Sequence, residues 1–140
     1  MKSVTVIDYG TVNLGNIVRG LEHEGACVRA SMDPDAVRQA DRLVLPGVGA
    51  FAAGMAELSS RSLDHAVIEA AQAGTPLLGI CLGMQMLLDH SEENGSHRGL
   101  GILAGNVKVI PREGVDGSKR RKVPHIGWNA LQYPPNRSHW

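Results

Sequence analysis

The sequence predicts an α/β fold in which a parallel sheet carries helices on both faces. Three observations predict it. Short β-branched or leucine-rich runs recur at residues 3–8, 26–30, 42–45 and 76–80, apolar residues at helical spacing fill the stretches between them, and glycine, proline or a capping residue marks most junctions. Parallel neighbours are joined only by a crossover, which is usually helical, so this alternation is the pattern of βαβ units.

The first run, Ser3-Val4-Thr5-Val6-Ile7-Asp8, is β-branched and stops at Tyr9-Gly10, so it reads as a strand feeding a turn. A helix follows, with Asn13 able to cap it, Leu14, Ile17, Val18 and Leu21 on one face, and Gly25 as its stop. Residues 26–30 resume as a second strand, and Asp33-Pro34 opens a helical turn through Val37. The third strand, 42–45, breaks off at Pro46-Gly47-Val48-Gly49, a loop whose place after a strand end makes it a candidate site. Helical patterns cover 51–58 and 63–73, the second capped by Ser62 and closed by Gly74. Residues 76–80 form the fourth strand and 82–88 the helix after it. Beyond Glu93 the pattern changes: Gly95, Gly99, Gly101 and Gly105 interrupt the chain, 106–110 alternates like a strand, and 133–140 offers no closing element.

A chain of 140 residues, 43% hydrophobic and 20% charged, reads as one domain spanning 1–140. Its fourteen basic and fourteen acidic residues cancel, so no nucleic acid and no membrane surface is implied as partner. The one charge run, Lys119, Arg120, Arg121 and Lys122, reads first as a solvated loop, with a contact to a partner or an anionic substrate as the alternative. Two cysteines without a CxxC spacing suit a reducing compartment, no signal-peptide layout opens the chain, and no apolar run reaches the ~20 residues that span a bilayer; a cytoplasmic location is the expectation.

The strongest chemical signal is Gly79-Ile80-Cys81-Leu82-Gly83, a G-x-C-x-G sequence where a strand turns into a helix. This is the thiol form of the nucleophile elbow: small neighbours let a sharp turn form, and the turn places the sulfur at a helix N-terminus, whose dipole favours a thiolate. A buried structural cysteine is the plainer reading of an isolated Cys, but the two glycines and the strand-to-helix setting favour the nucleophile. Cys27, within an ordinary strand, reads as a packed thiol. Acyl transfer also needs donors aimed at the developing oxyanion. The Leu82 N–H is one by the elbow design, and Pro46-Gly47-Val48-Gly49 fits the second because glycines free the backbone to turn an N–H toward the site.

Around Cys81, Leu78-Gly79-Ile80-Cys81-Leu82-Gly83-Met84-Gln85 resembles the class I (triad) glutamine amidotransferases. Leu45-Pro46-Gly47-Val48-Gly49-Ala50-Phe51 and Lys122-Val123-Pro124-His125-Ile126-Gly127-Trp128-Asn129 are similar to motifs of the glutaminase subunits of imidazole glycerol phosphate synthase. The resemblance runs to about Asn129. It implies a flavodoxin-like doubly wound sheet with its C-terminal part missing. It also implies hydrolysis of L-glutamine, with the ammonia passed to a (β/α)₈-barrel cyclase subunit for imidazole glycerol phosphate and AICAR formation in histidine biosynthesis. No metal and no cofactor is implied. By match to the motifs, Cys81 is the nucleophile, Val48 and Leu82 the oxyanion donors, and Gly49, Gln85 and Glu93 bind glutamine. Asn13, Asn16, His125 and Trp128 lie near the partner face. Read without the resemblance, Glu92 and Glu93 are a solvated helix end and Trp128 a half-buried anchor.

The chain departs from the family in having Val12 where a glycine is usual and Gly15-Asn16 where a more basic stretch is usual. It also ends before the segment in which the family carries its catalytic His and Glu, and His23, His65, His90, His97, His125 and His139 each read as surface or structural, with His90 in a helix and His97 in a loop. The 140 residues are therefore expected to turn over poorly alone. Two further readings fit the sequence: a class I amidotransferase with a different acceptor, and a non-catalytic binding protein.

Overall fold

The computed structural model describes residues 2–10, 14–113, 122–130 and 132, and the chain forms two compact units, residues 1–109 and 110–140. In the first unit the strands β1 (Lys2–Ile7), β2 (Ala26–Ser31), β3 (Leu43–Leu45) and β4 (Leu77–Gly79) make a parallel sheet in the order β2-β1-β3-β4. Pairings such as Val4 with Val28, Thr5 with Leu43, and Leu45 with Gly79 set the register. The order steps outward from β1 in both directions, so the crossovers leave on opposite faces and the strand order reverses between β1 and β3, the place where open sheets of this kind bind ligands.

Helix α1 (Leu14–His23) covers one face, where Leu14, Ile17, Val18 and Leu21 pack on Val4, Val6 and Val44. The other face carries α2 (Pro34–Arg38), α3 (Phe51–Ser60), α4 (Leu63–Gln72) and α5 (Leu82–Met86), whose Val37, Phe51, Leu58, Leu63, Val67 and Met86 are fully buried against Ile7, Leu43 and Leu45. Each such side chain contributes about 1.5–3 kcal/mol by leaving water. All three residues of β3 are buried, as its unbroken leucine-valine run requires of a strand covered on both faces. At α2 the Asp33 carboxylate accepts the Asp35 N–H at 3.0 Å, with Pro34 in the first helical turn. Arg38 ties α2 to α4 by donating to Glu69 and to Asp35, and the hydrogen bond to Glu69 is the main cause of its raised pKa.

Four details differ from the sequence expectation. Ser62 does not cap α4: only Arg61 and Ser62 separate α3 from α4, so Ser62 forms a left-handed corner at φ 56° with no capping bond from its side chain. Helix α5 ends at Met86, and Leu88 already belongs to a strand. The chain there enters a second sheet, of order β6-β5-β7, built from β5 (Leu88–Ser91), β6 (His97–Arg98) and β7 (Leu103–Val107). Three adjacent apolar residues look alike in either structure, and the pairing that decides, Leu88 with Leu103 and His90 with Arg98, is non-local. His90 and His97 thus lie on strands, and the strand expected at 106–110 is found at 103–107. Finally, Cys27 is exposed on β2, an edge strand with one partner, and is not a packed thiol.

In the second unit the described residues form neither helix nor strand; Ile126 and Trp128 are 87% and 104% exposed, so Trp128 is not a half-buried anchor. Among the described residues no helix is long and apolar enough to cross a membrane.

Candidate active site

Because β1, β3 and β4 are adjacent and parallel, Tyr9, the loop 46–50 and the turn 80–83 all emerge at the same edge of the sheet. The turn is a true elbow. Cys81 has φ 54° and ψ −118°, a conformation that costs a non-glycine residue about 1–3 kcal/mol and persists only where neighbours enforce it. Here they do. The Ile80 N–H donates to the Leu45 carbonyl at 2.9 Å, the Gly83 N–H to Ile80 at 2.9 Å, and the Gln85 N–H to the Cys81 carbonyl at 3.2 Å.

Both flanking glycines are sterically required. A Cβ on Gly83 would stand 1.9 Å from the Leu45 carbonyl oxygen, and one on Gly79 would stand 2.5 Å from Met84 Cα. Gly47 is locked in the same way, since its Cβ would lie 2.7 Å from the Gly83 nitrogen and 2.8 Å from Leu82 Cβ. The end of β3 therefore lies directly on the elbow. Gly49 differs: φ is +93° and nothing stands within 4 Å of a Cβ, so there glycine is needed for backbone conformation and not for space.

Cys81 is exposed, and among the described residues its sulfur has no hydrogen-bond partner. Leu82 is 2% exposed, so its side chain anchors the turn. Among the described residues neither the Leu82 N–H nor the Val48 N–H is used by an acceptor within the chain, and Val48 is 56% exposed. Both donors are thus available at the strand edge that carries the thiol. Gln85 follows on α5, half-buried.

Glu93 is not a solvated helix end. It follows β5, and its Oε2 accepts the Phe51 N–H at 2.7 Å, serving the start of α3, where Ala50 supplies no side-chain cap. Its own N–H donates at 3.1 Å to Oγ of Ser91, which is fully buried. Glu92 faces elsewhere, pairing with Lys108 at 3.4 Å. At the other end of the loop the buried Tyr9 hydroxyl donates to the Pro46 carbonyl at 2.8 Å. The sequence points to Tyr9 only as the start of a turn and gives Ser91 no role. The available signal was weak: a tyrosine buried at a strand end needs a polar partner.

Of the residues expected at the partner face, Asn13 lies outside the described residues. Asn16 is exposed on α1 and accepts from Arg19, and His125 and Trp128 are exposed in the second unit. Among the described residues no cluster of three or more His, Cys, Asp or Glu side chains is arranged for a metal ion.

A family model described as a CobB/CobQ-like glutamine amidotransferase domain matches residues 6–124. The chain belongs to this amidotransferase family. Among similar proteins, imidazole glycerol phosphate synthase subunit HisH 1 of Legionella pneumophila (strain Lens) is 46% identical over 140 residues, covering 100% of this chain and 65% of the relative. Subunit HisH of Methylococcus capsulatus (strain ATCC 33009 / NCIMB 11132 / Bath) is 47% identical, covering 100% of this chain and 66% of that one. Subunit HisH of Symbiobacterium thermophilum is 48% identical, with 99% and 61% covered. The chain thus spans slightly less than two thirds of the length of these relatives. A crystal structure from Listeria monocytogenes EGD-e, described under peptidase E, superposes with a TM-score of 0.60 at 17% identity, covering 73% of this chain and 63% of the other; that likeness concerns the α/β fold alone.

Proposed function

We propose that this amidotransferase chain carries the nucleophile and oxyanion half of a glutaminase that supplies ammonia to a cyclase partner in imidazole glycerol phosphate synthesis. The observation that carries the reading is Cys81, strained at φ 54° in a glycine-locked elbow with the unused N–H groups of Leu82 and Val48 at the same sheet edge. The names of relatives 46–48% identical supply the pathway. A cytoplasmic setting and a heterodimer go with that reading, as does a single amidotransferase-type domain over 1–140.

In this mechanism the Cys81 thiolate adds to Cδ of the glutamine side chain, and the carbonyl π electrons move to the oxygen. The Val48 and Leu82 N–H groups accept that charge into two hydrogen bonds, the part of such reactions that contributes most. Collapse breaks the C–N bond, ammonia leaves with a proton delivered to its nitrogen, and a thioester remains; water then cleaves it to glutamate and free thiol. Gly49 leaves the loop open to the substrate's backbone end, Gln85 lines the α5 side, and the second oxygen of Glu93 is offered to the α-ammonium group. Asn13, Asn16, His125 and Trp128 face the cyclase; the near-complete exposure of Trp128 and Ile126 supports this role.

Proton transfer is assigned to none of the histidines in these 140 residues. His65 lines a groove with Asp64 and Arg98, His90 a second groove with Asp89 and Asn106, and His23 closes α1. The triad's His and Glu are proposed to lie in sequence beyond these residues. The test is ammonia release from glutamine in a form extended by the relatives' remaining third, with C81A beside it. Turnover that vanishes in C81A bears the reading out, and turnover that persists in C81A contradicts it.

A further inference from the structure

The loop that leaves β3 at Leu45 and enters α3 at Phe51 is fastened at each end by a side chain from elsewhere in the first unit. At its first residue, Tyr9, which follows β1, donates its hydroxyl proton to the Pro46 carbonyl at 2.8 Å. Tyr9 is fully buried, and its oxygen leaves no room for a side chain at the next residue, since a Cβ on Gly47 would stand 2.7 Å from it. At its last residue, the Phe51 N–H donates to Glu93 Oε2 at 2.7 Å, and Glu93 is itself held through the buried Ser91. Only the middle is exposed: Val48, Gly49 and Ala50.

Such a loop has few remaining freedoms. Gly49 at φ +93° can rotate, but Pro46 and Phe51 cannot drift, so the Val48 peptide is suspended between two fixed points. We propose that Tyr9 and Glu93 are positioning residues which clamp both ends of the loop and so hold the Val48 N–H in place for the oxyanion. The inference rests on the glutaminase reading and adds a second duty for Glu93 and a first one for Tyr9. Neither duty involves touching the reacting amide: each acts through the loop backbone.

The two duties of Glu93 separate by chemistry. A glutamine side chain keeps an oxygen that accepts the Phe51 N–H but lacks the charge that meets an ammonium group; alanine has neither. In the extended, active form of the protein, Y9F is expected to lower kcat roughly tenfold, the size of one lost hydrogen bond expressed in rate, with KM within about twofold. E93A lowers kcat by a similar factor and raises KM, whereas E93Q raises KM and keeps kcat. Alkylation of Cys81 by iodoacetamide, in which the sulfur displaces iodide and no oxyanion forms, stays within about twofold of the parent in all three variants. An unchanged kcat in Y9F and E93A, alongside an inactive C81A, overturns the clamp and leaves the glutaminase intact. Iodoacetamide rates that fall in step with kcat also overturn it, because the two residues then merely hold the elbow together. Activity in C81A overturns the underlying reading itself.

Discussion

Replacing Gly83 by alanine adds one methyl group where, among the described glycines, a Cβ would come closest to a neighbouring atom. That carbon would stand 1.9 Å from the Leu45 oxygen, 2.7 Å from the Leu45 carbonyl carbon and 3.0 Å from that of Pro46. All three are backbone atoms, so no side chain can swing aside. A normal C···O contact is on the order of 3.3 Å, and restoring it means moving β3 away from the elbow. The Leu45 oxygen also accepts the Ile80 N–H at 2.9 Å, and the Leu45 side chain is fully buried, so that movement breaks a hydrogen bond and disturbs the core. Overpacking of this kind costs about 1–3 kcal/mol and the bond about 1 more, giving an expected destabilisation of about 3 kcal/mol. With a urea m-value of about 2 kcal/mol/M, the midpoint falls by roughly 1.5 M. Gly49→Ala is the matched control: φ is +93° but nothing lies within 4 Å, so only the backbone term of about 1–2 kcal/mol applies. Urea titrations of the two variants, with the rate at which a glutamine-derived chloroketone labels Cys81, give the comparison. A G83A protein as stable as G49A and labelled at the parent's rate would show that the close approach of elbow and β3 is not real.

Three further outcomes follow from the same geometry. Gly20→Ala is expected to stabilise the protein by about 0.5–1 kcal/mol in thermal or urea unfolding, because Gly20 is exposed within α1, keeps an ordinary φ and has nothing within 4 Å of a Cβ. Ser91→Ala should cost about 1 kcal/mol in unfolding free energy and weaken binding of a glutamine analogue by calorimetry, since the fully buried hydroxyl is what holds the Glu93 N–H. The 140 residues alone, mixed with the cyclase subunit, should release ammonia from glutamine about 10² to 10⁴ times more slowly than the extended form, the usual contribution of a positioned general acid and base; equal rates would show that one of the six histidines serves.

What the sequence made legible was local. The core strands announce themselves because Leu43-Val44-Leu45 and Val4-Thr5-Val6-Ile7 can be buried on a sheet and little else, and the glycines around Cys81 are readable because the sterics of an elbow involve residues adjacent in sequence. Once β3 and β4 are paired, the approach of Gly47 to Leu82 follows from the parallel register. The illegible part was carried by distant partners. Nothing near Leu88 in the chain says that it will pair with Leu103, nor near Glu93 that it will accept from Phe51, forty-two positions away. Tyr9 was read as half of a turn because its role depends on Pro46, which reaches it only after the sheet has formed.

The central claim is that Cys81 is the nucleophile for glutamine, and exposure alone does not single it out, because Cys27 is exposed as well. Treating the native protein with one equivalent of the glutamine-derived chloroketone, then mapping peptides by mass spectrometry, reads the claim directly: the thiolate sulfur displaces chloride and leaves a stable adduct. One adduct confined to Cys81, and suppressed by excess glutamine, is the expected result. Equal labelling of Cys27 and Cys81, with no protection by glutamine, would contradict it.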